Sequence, residues 1–347
     1  MSGTDDVLTT PAPTLSEAAA AALLERHYGL RGALSPLPGE RDRNLLLRAE
    51  DGGAHILKIA NPAEDAAVTD LQVALLRHVE AADPDLPLSR MVPAKNGAFT
   101  LRLDLDGVTA TVRVLTYLEG EPLHRAPPSP AQARAIGRTL GRLDRALADF
   151  GHPAARRELL WDAGRLERVR PLTDHIPDPD ARGLVHRVLD RFEDLVVPRR
   201  DGLRAQVIHN DLNPHNVLTV PGRAAEVAGI IDVGDALFGA LIGDVGTALA
   251  YQLDGGDDPF ARAGAFLAGF SEIMPLRPEE MEVLPVLIAA RLTLTVTIGQ
   301  WRAAREPDNR DYILRNYPGA LRGLERLALL SPAAARDGLV AAMEEAS

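Results

Sequence analysis

Residues 203 to 235, LRAQVIHNDLNPHNVLTVPGRAAEVAGIIDVGD, concentrate the side chains that could do chemistry. Two short apolar runs each end abruptly in acidic and amide residues. Val207 and Ile208 lead into His209, Asp211 and Asn216, and the run from Val227 to Ile231 ends at Asp232. The spacing His-x-Asp-x-x-x-x-Asn, then an apolar strand ending in Asp, suits phosphoryl transfer. That reaction needs a carboxylate near the attacking hydroxyl, and an amide and a second carboxylate near magnesium. Asp211 is thus the candidate to orient and partly deprotonate a substrate hydroxyl, because a loose transition state rewards positioning over strong base chemistry. Asn216 and Asp232 are the candidates to hold Mg2+ through hard oxygen ligands. As plain turn caps these residues would serve only the local backbone, and four polar positions in register favour the chemical reading. His209 reads as structural, bonding backbone near Asp232, and His215 as a bystander. A transition-metal site on His209, Asp211 and His215 lacks a fourth ligand at suitable spacing.

The segments HNDLNPHN and IIDVGD resemble the aminoglycoside phosphotransferase and choline kinase superfamily, and IIDVGDALFGALIGDVGTALAYQL is similar to its hydroxylysine kinase branch. In that branch an IDFGD segment precedes an aspartate on a helix ending in ALAY; Val233 stands here in place of the Phe. Trp161-Asp162 matches a pair found in the same branch. The resemblance runs from about residue 35 to about residue 325. It implies a bilobal, protein-kinase-like α+β fold, with a small N-terminal antiparallel sheet lobe and a larger, mostly helical C-terminal lobe. It also implies ATP, with GTP not excluded, and Mg2+ as cofactors. Asp244 would anchor the catalytic loop, although it could instead cap the next helix. Asp235, three residues past Asp232, is a candidate contact for a substrate ammonium. Arg291, Trp301 and Asn309 fall in the helical region where such kinases bind acceptors, with Arg291 as the candidate anchor for an acceptor carboxylate; packing is the alternative for all three.

Further upstream, residues 37 to 59 read as strand, turn and strand, with Asp51, Gly52 and Gly53 in the turn. Lys58, flanked by Ile56, Leu57 and Ile59, is costly to bury without an anion, so the reading favours a nucleotide phosphate over an edge lysine facing water. Gly39 to Asn44 lies where the superfamily has its nucleotide-covering loop, though it carries one glycine only. A helix is expected from about Ala66 to Val79 on the face Leu71, Leu75, Leu76 and Val79. Kinases pair the strand lysine with a glutamate on this helix, whereas counting from Lys58 reaches Gln72 or Ala74. Gln72 could hydrogen-bond Lys58 without neutralising it, Glu64 or Asp70 could substitute for it, and the lysine's partner stays open. Strands at 98 to 105 and 108 to 118 flank the turn Asp106-Gly107. The second ends at a hinge whose backbone, around Thr116 and Leu118, would hold adenine.

The expected organisation is a flexible tail over 1 to 13, an N-lobe over 14 to 118, a Pro-rich hinge and linker over 119 to 129, and a C-lobe over 130 to 347. Thr14 and Glu17 have capping-box spacing for a first helix that runs to Tyr28 and ends at Gly29, and that should pack beside the sheet. Ile136, Leu140, Leu143, Leu147 and Phe150 mark a helical core face, and another helix covers about 179 to 195. Further helices are expected near 243 to 253, 259 to 271, 278 to 304, 310 to 330 and 332 to 345.

The chain has 347 residues, 46% hydrophobic and 25% charged, an ordinary globular balance. Its lack of cysteine excludes disulfides, thiolate zinc sites and cysteine nucleophiles. With no apolar run approaching a bilayer span and no basic start followed by an apolar stretch, a cytoplasmic protein without a membrane partner is expected. A net charge of -11 argues against nucleic acid and suits a cationic or zwitterionic small-molecule acceptor. The leading expectation is an ATP- and Mg-dependent kinase acting on a hydroxyl of a small amine or amino acid, 5-hydroxylysine-like. An aminoglycoside O-phosphotransferase and a non-catalytic nucleotide-binding module are the alternatives.

Overall fold

The computed structural model describes residue 10 and residues 13–39, 42–105, 107–253 and 259–347. The tail expected over 1 to 13 thus lies outside the described residues except at Thr10 and Pro13, as do Glu40 and Arg41 of the proposed nucleotide loop and Asp106 of the second hairpin turn. The chain divides into two compact units. One comprises Met1–Gly120 with His152–Ala155 and Ala228–Ile231, and the other the remainder.

In the first unit, helix α1 (Glu17–Tyr28) starts at Ser16, whose hydroxyl accepts from Ala19 N at 3.2 Å, so Ser16 and not Thr14 is the cap. Gly29, at φ 76°, ends the helix in the left-handed region that a residue with a Cβ resists. An antiparallel sheet follows: β1 (Gly32–Leu37), β2 (Arg43–Ala49), β3 (Ala54–Ile59), β4 (Met91–Val92), β5 (Leu101–Leu105) and β6 (Val108–Thr116), in the order β1-β2-β3-β6-β4 with β5 also on β6. Strand β1 escapes sequence pattern because it contains Pro36. It is an edge strand, where a missing N–H disrupts little. Leu45, Leu47, Leu57, Ile59, Val112 and Val114 form the core together with Ala20, Leu23 and Leu24 of α1, so the helix packs on the sheet as expected. Helix α2 (Ala66–Ala82) is capped by Asp65 and buries Leu71, Leu75, Leu76 and Val79.

The second unit is mostly helical: α3 (Pro130–Ala146), α4 (Pro179–Leu195), α5 (Leu241–Leu249), α6 (Ala261–Ser271), α7 (Pro278–Arg305), α8 (Tyr317–Ala328) and α9 (Pro332–Ala346). A Cβ on Gly137 of α3 would lie 2.1 Å from the carbonyl oxygen of Phe266, so these two helices meet backbone to backbone. The single helix expected over 310 to 330 is broken, and α8 begins with Pro318 in its first turn, where the missing N–H costs little. Helix α7 corrects the reading of apolar runs, since by length and composition it could cross a membrane, yet 94% of its apolar window is buried in the protein. Short strands β7 (Glu121–Pro122), β9 (Val217–Val220) and β10 (Arg223–Ile230) form one small sheet. Strands β8 (Ala205–Ile208) and β11 (Leu237–Ala240) form another. Its antiparallel register pairs Leu237 with Ile208, so the chain leaving β8 at His209 and the chain entering β11 after Asp235 emerge at one end.

Candidate active site

That shared end of β8 and β11 carries the loop with His209, Asp211 and Asn216. Ile208, Leu237 and Leu159 pack beneath it as a small apolar cluster. Asp244, fully buried on α5, accepts from the backbone N–H groups of His209 and Asn210, each at 2.8 Å. Asp244 therefore anchors the loop, as the resemblance implied, and does not cap its own helix, whose N-cap is Ala240. This grip holds Asn210 at φ 66°, a conformation sparsely populated by non-glycine residues. His209 Nδ1 accepts from Asp211 N at 3.2 Å, a structural role. His215 stacks on His124 with ring centroids 4.3 Å apart; burial first, and then His124, lower its pKa.

Donors surround the carboxylate of Asp211. Oδ2 accepts from Asn213 Nδ2 at 2.9 Å and from Asn216 Nδ2 at 2.8 Å, and Oδ1 accepts from Arg291 Nη2 at 2.5 Å. A carboxylate offers about four lone-pair sites, so roughly one is left for a substrate hydroxyl. Burial pushes the Asp211 pKa up, the Arg291 charge opposes that shift, and Asp235 adds to it. Because the amide N–H groups of Asn216 are spent on Asp211, its amide oxygen is the group that can face a cation. Asp232 is exposed at φ 62° and accepts from Gly234 N at 3.0 Å. The turn after it is held by Arg157, which donates to the carbonyls of Gly234 and Ala236.

Two expectations for acceptor contacts are corrected here. Arg291 does not present its guanidinium as an accessible anchor for a carboxylate. It is 4% exposed and ion-paired with Asp211, and Nε donates to the Tyr251 hydroxyl at 3.1 Å. Burial disfavours its charge, but Tyr251 and Asp211 outweigh that and its pKa is raised. Trp301 lies ten residues further along α7, about 15 Å along the axis, and packs as a core residue under Arg305. Asp235 is close enough to influence both Asp211 and Arg291.

In the first unit, Lys58 pairs across the hairpin with Asn44, but its ion partner is Asp42, 3.7 Å away. Gln72 is therefore not the lysine's partner. Its Oε1 accepts from Arg113 Nη2 at 2.7 Å, and Arg113 also reaches Asp42 at 3.3 Å. Of the substitutes, Asp70 pairs with His152. Gly39 permits Asn44 to close on the loop, since a Cβ there would lie 2.4 Å from Asn44 Nδ2. Thr116 ends β6 with its hydroxyl accepting from Arg90 N at 2.8 Å. Leu118 lies over Gly229, where a Cβ would come within 2.6 Å of its Cδ1.

Asp42, Arg113, Asn213, Tyr251 and Arg157 were not singled out by spacing. Asn213 and Tyr251 lie inside the HNDLNPHN and ALAY strings, and Trp161 in the Trp-Asp pair, so resemblance was the available signal for those three. The α+β fold, with its small antiparallel sheet and helical second unit, is that of the protein-kinase-like phosphotransferases. Its profile match over residues 33–282 shows that the chain belongs to the Phosphotransferase enzyme family. It is 28% identical over 325 residues to the hydroxylysine kinase of Xenopus laevis, covering 87% of each chain. It is 30% identical over 306 residues to the homoserine kinase of Chelativorans sp. (strain BNC1), covering 84% of this chain and 89% of that one. Among solved structures, an amicoumacin kinase in complex with AMP-PNP, Ca2+ and Ami aligns with a TM-score of 0.63 at 16% identity, over 87% of this chain and 93% of that one.

Proposed function

We propose that the protein transfers the γ-phosphate of ATP, with Mg2+, to the hydroxyl of a small amino acid or amine, with a 5-hydroxylysine-like acceptor as the best single assignment. The observation that carries the reaction type is the Asp211 carboxylate, pinned on both oxygens with capacity left for one more donor. The likeness to hydroxylysine and homoserine kinases supports a hydroxylated amino acid as acceptor.

In this reading Asp211 accepts a hydrogen bond from the acceptor hydroxyl, aligns its oxygen for attack and receives its proton as transfer proceeds. Lys58 binds a nucleotide phosphate, displacing its long contact with Asp42. Backbone groups around Thr116 and Leu118 hold the adenine. Asn216 and Asp232 fit a Mg2+ ion as an amide oxygen and an exposed carboxylate. When bound, that ion neutralises charge on the phosphates. Asp235, beside Asp211, takes the ammonium of the acceptor, where partial enclosure weakens screening.

The test is ADP release by the purified protein with Mg-ATP over 5-hydroxylysine, homoserine, amino alcohols and aminoglycosides. Hydroxylated amino acids are expected to be the preferred acceptors, and Asp211→Asn to lower turnover by roughly 100-fold or more with ATP binding retained. Efficient phosphorylation of aminoglycosides with none of hydroxylated amino acids would overturn the acceptor assignment. Wild-type turnover in Asp211→Asn would remove Asp211 from the mechanism.

A further inference from the structure

The reading of Asp211 as the orienting carboxylate leaves a question of aim. The terminal torsion of an aspartate is soft and broad. Asn213 and Asn216 both donate to the same oxygen, Oδ2, so this soft torsion is restrained from one side of the carboxylate only. Arg291 supplies the donor on the other oxygen, Oδ1.

Arg291 is itself held at several points. It lies in the buried middle of α7 and its Nε donates to the Tyr251 hydroxyl. Its guanidinium stands 5.1 Å from the Trp161 ring centroid and 5.8 Å from that of Tyr251, within cation–π range of both. An arginine so enclosed cannot sample the rotamers open to an exposed one. Its charge is also matched to two carboxylates, Asp211 in direct contact and Asp235 nearby.

We propose that Arg291, clamped by Tyr251 and Trp161, is a positioning residue that fixes the plane of the Asp211 carboxylate, so that its remaining lone pair points at the acceptor hydroxyl. The inference rests on the proposed phosphotransfer reading. It adds Tyr251 and Trp161 to the machinery, and it moves Arg291 from holding the substrate to aiming the Asp211 carboxylate. Lysine cannot replace the guanidinium, because a single ammonium on a flexible stem cannot bond Asp211 and Tyr251 in a fixed plane.

The test is steady-state ADP release with Mg-ATP and, separately, 5-hydroxylysine, homoserine and water as acceptors. Arg291→Lys should lower kcat by about 10- to 100-fold with the KM values for ATP and acceptor within about threefold of wild type. Tyr251→Phe should lower kcat less, and combining it with Arg291→Lys should add little, since the hydroxyl acts through the guanidinium. In an Asp211→Asn background, Arg291→Lys should have no further effect. Arg305→Lys, at another α7 arginine that stacks on a tryptophan, serves as control and should keep wild-type kcat. If Arg291→Lys fails to fold, Tyr251→Phe carries the test, since it removes one hydroxyl only. The proposal is overturned if Arg291→Lys keeps kcat, if its loss persists undiminished in Asp211→Asn, or if it mainly raises the acceptor KM. No ADP release by wild type with any acceptor or water would instead overturn the phosphotransfer reading, and the inference with it.

Discussion

Asp144 and Asp244 form a buried acid pair under the loop that carries His209 and Asp211, and replacing Asp144 by asparagine should change how stability depends on pH. Both residues are fully buried. Neither oxygen of Asp144 receives a donor from the described residues, and its neighbour is the Asp244 carboxylate, so the two bond only if one proton sits between them. Asp144 is the holder: burial first, and then the Asp244 charge, raise its pKa well above the ordinary 3.8. Burial also raises the pKa of Asp244, but interaction with His209 and the N–H groups of His209 and Asn210 oppose this and favour its ionised form. The folded state thus keeps a proton that the unfolded chain releases. Stability from this group is fully present below the unfolded pKa and is lost as pH rises towards and through the folded value, at about 1.4 kcal/mol per pH unit inside that window. In Asp144→Asn the amide can donate to Asp244 as the acid did, with nothing to titrate. Urea midpoints of both proteins at pH 5, 6, 7 and 8, with their m-values, isolate the effect of the pair, because titrating groups away from it cancel in the difference. The variant should gain on wild type as pH rises. A difference that stays flat with pH, or moves in favour of wild type, would refute the shared proton.

Asp232→Ala should abolish the tightening of ATP binding by Mg2+ in calorimetry with and without the ion, because the cation loses its anionic ligand; an unchanged effect would transfer that role to another carboxylate, with Asp235 first. Lys58→Met should weaken ATP binding by about tenfold or more, the loss of a charge-assisted contact. Gln72→Glu should leave ATP affinity close to wild type, because Gln72 serves Arg113 rather than Lys58; a large loss would show that Arg113 requires a neutral partner.

Local chemistry made much of this protein legible before any coordinates. The Asp51 to Gly53 turn, the Gly29 stop and the 3.6-residue face of α3 are short-range signals, and each element formed where its signal stood. The clustering of His209, Asp211 and Asn216 in the loop after β8 was equally readable, since they lie within eight residues of chain. Strand β1 was not, because a proline-bearing edge strand has neither alternation nor a full set of donors. What the sequence could not decide was pairing at a distance. Arg291 meets Asp211 across 80 residues and Arg113 meets Asp42 across 71, and no local spacing encodes which of many charges the fold will bring together. Burial then sets their meaning. An arginine offered as an anchor for an acceptor carboxylate is enclosed beside Asp211, and an aspartate that sequence alone left unremarked, Asp144, is pushed towards its protonated form because the tertiary structure removes it from water beside a second acid.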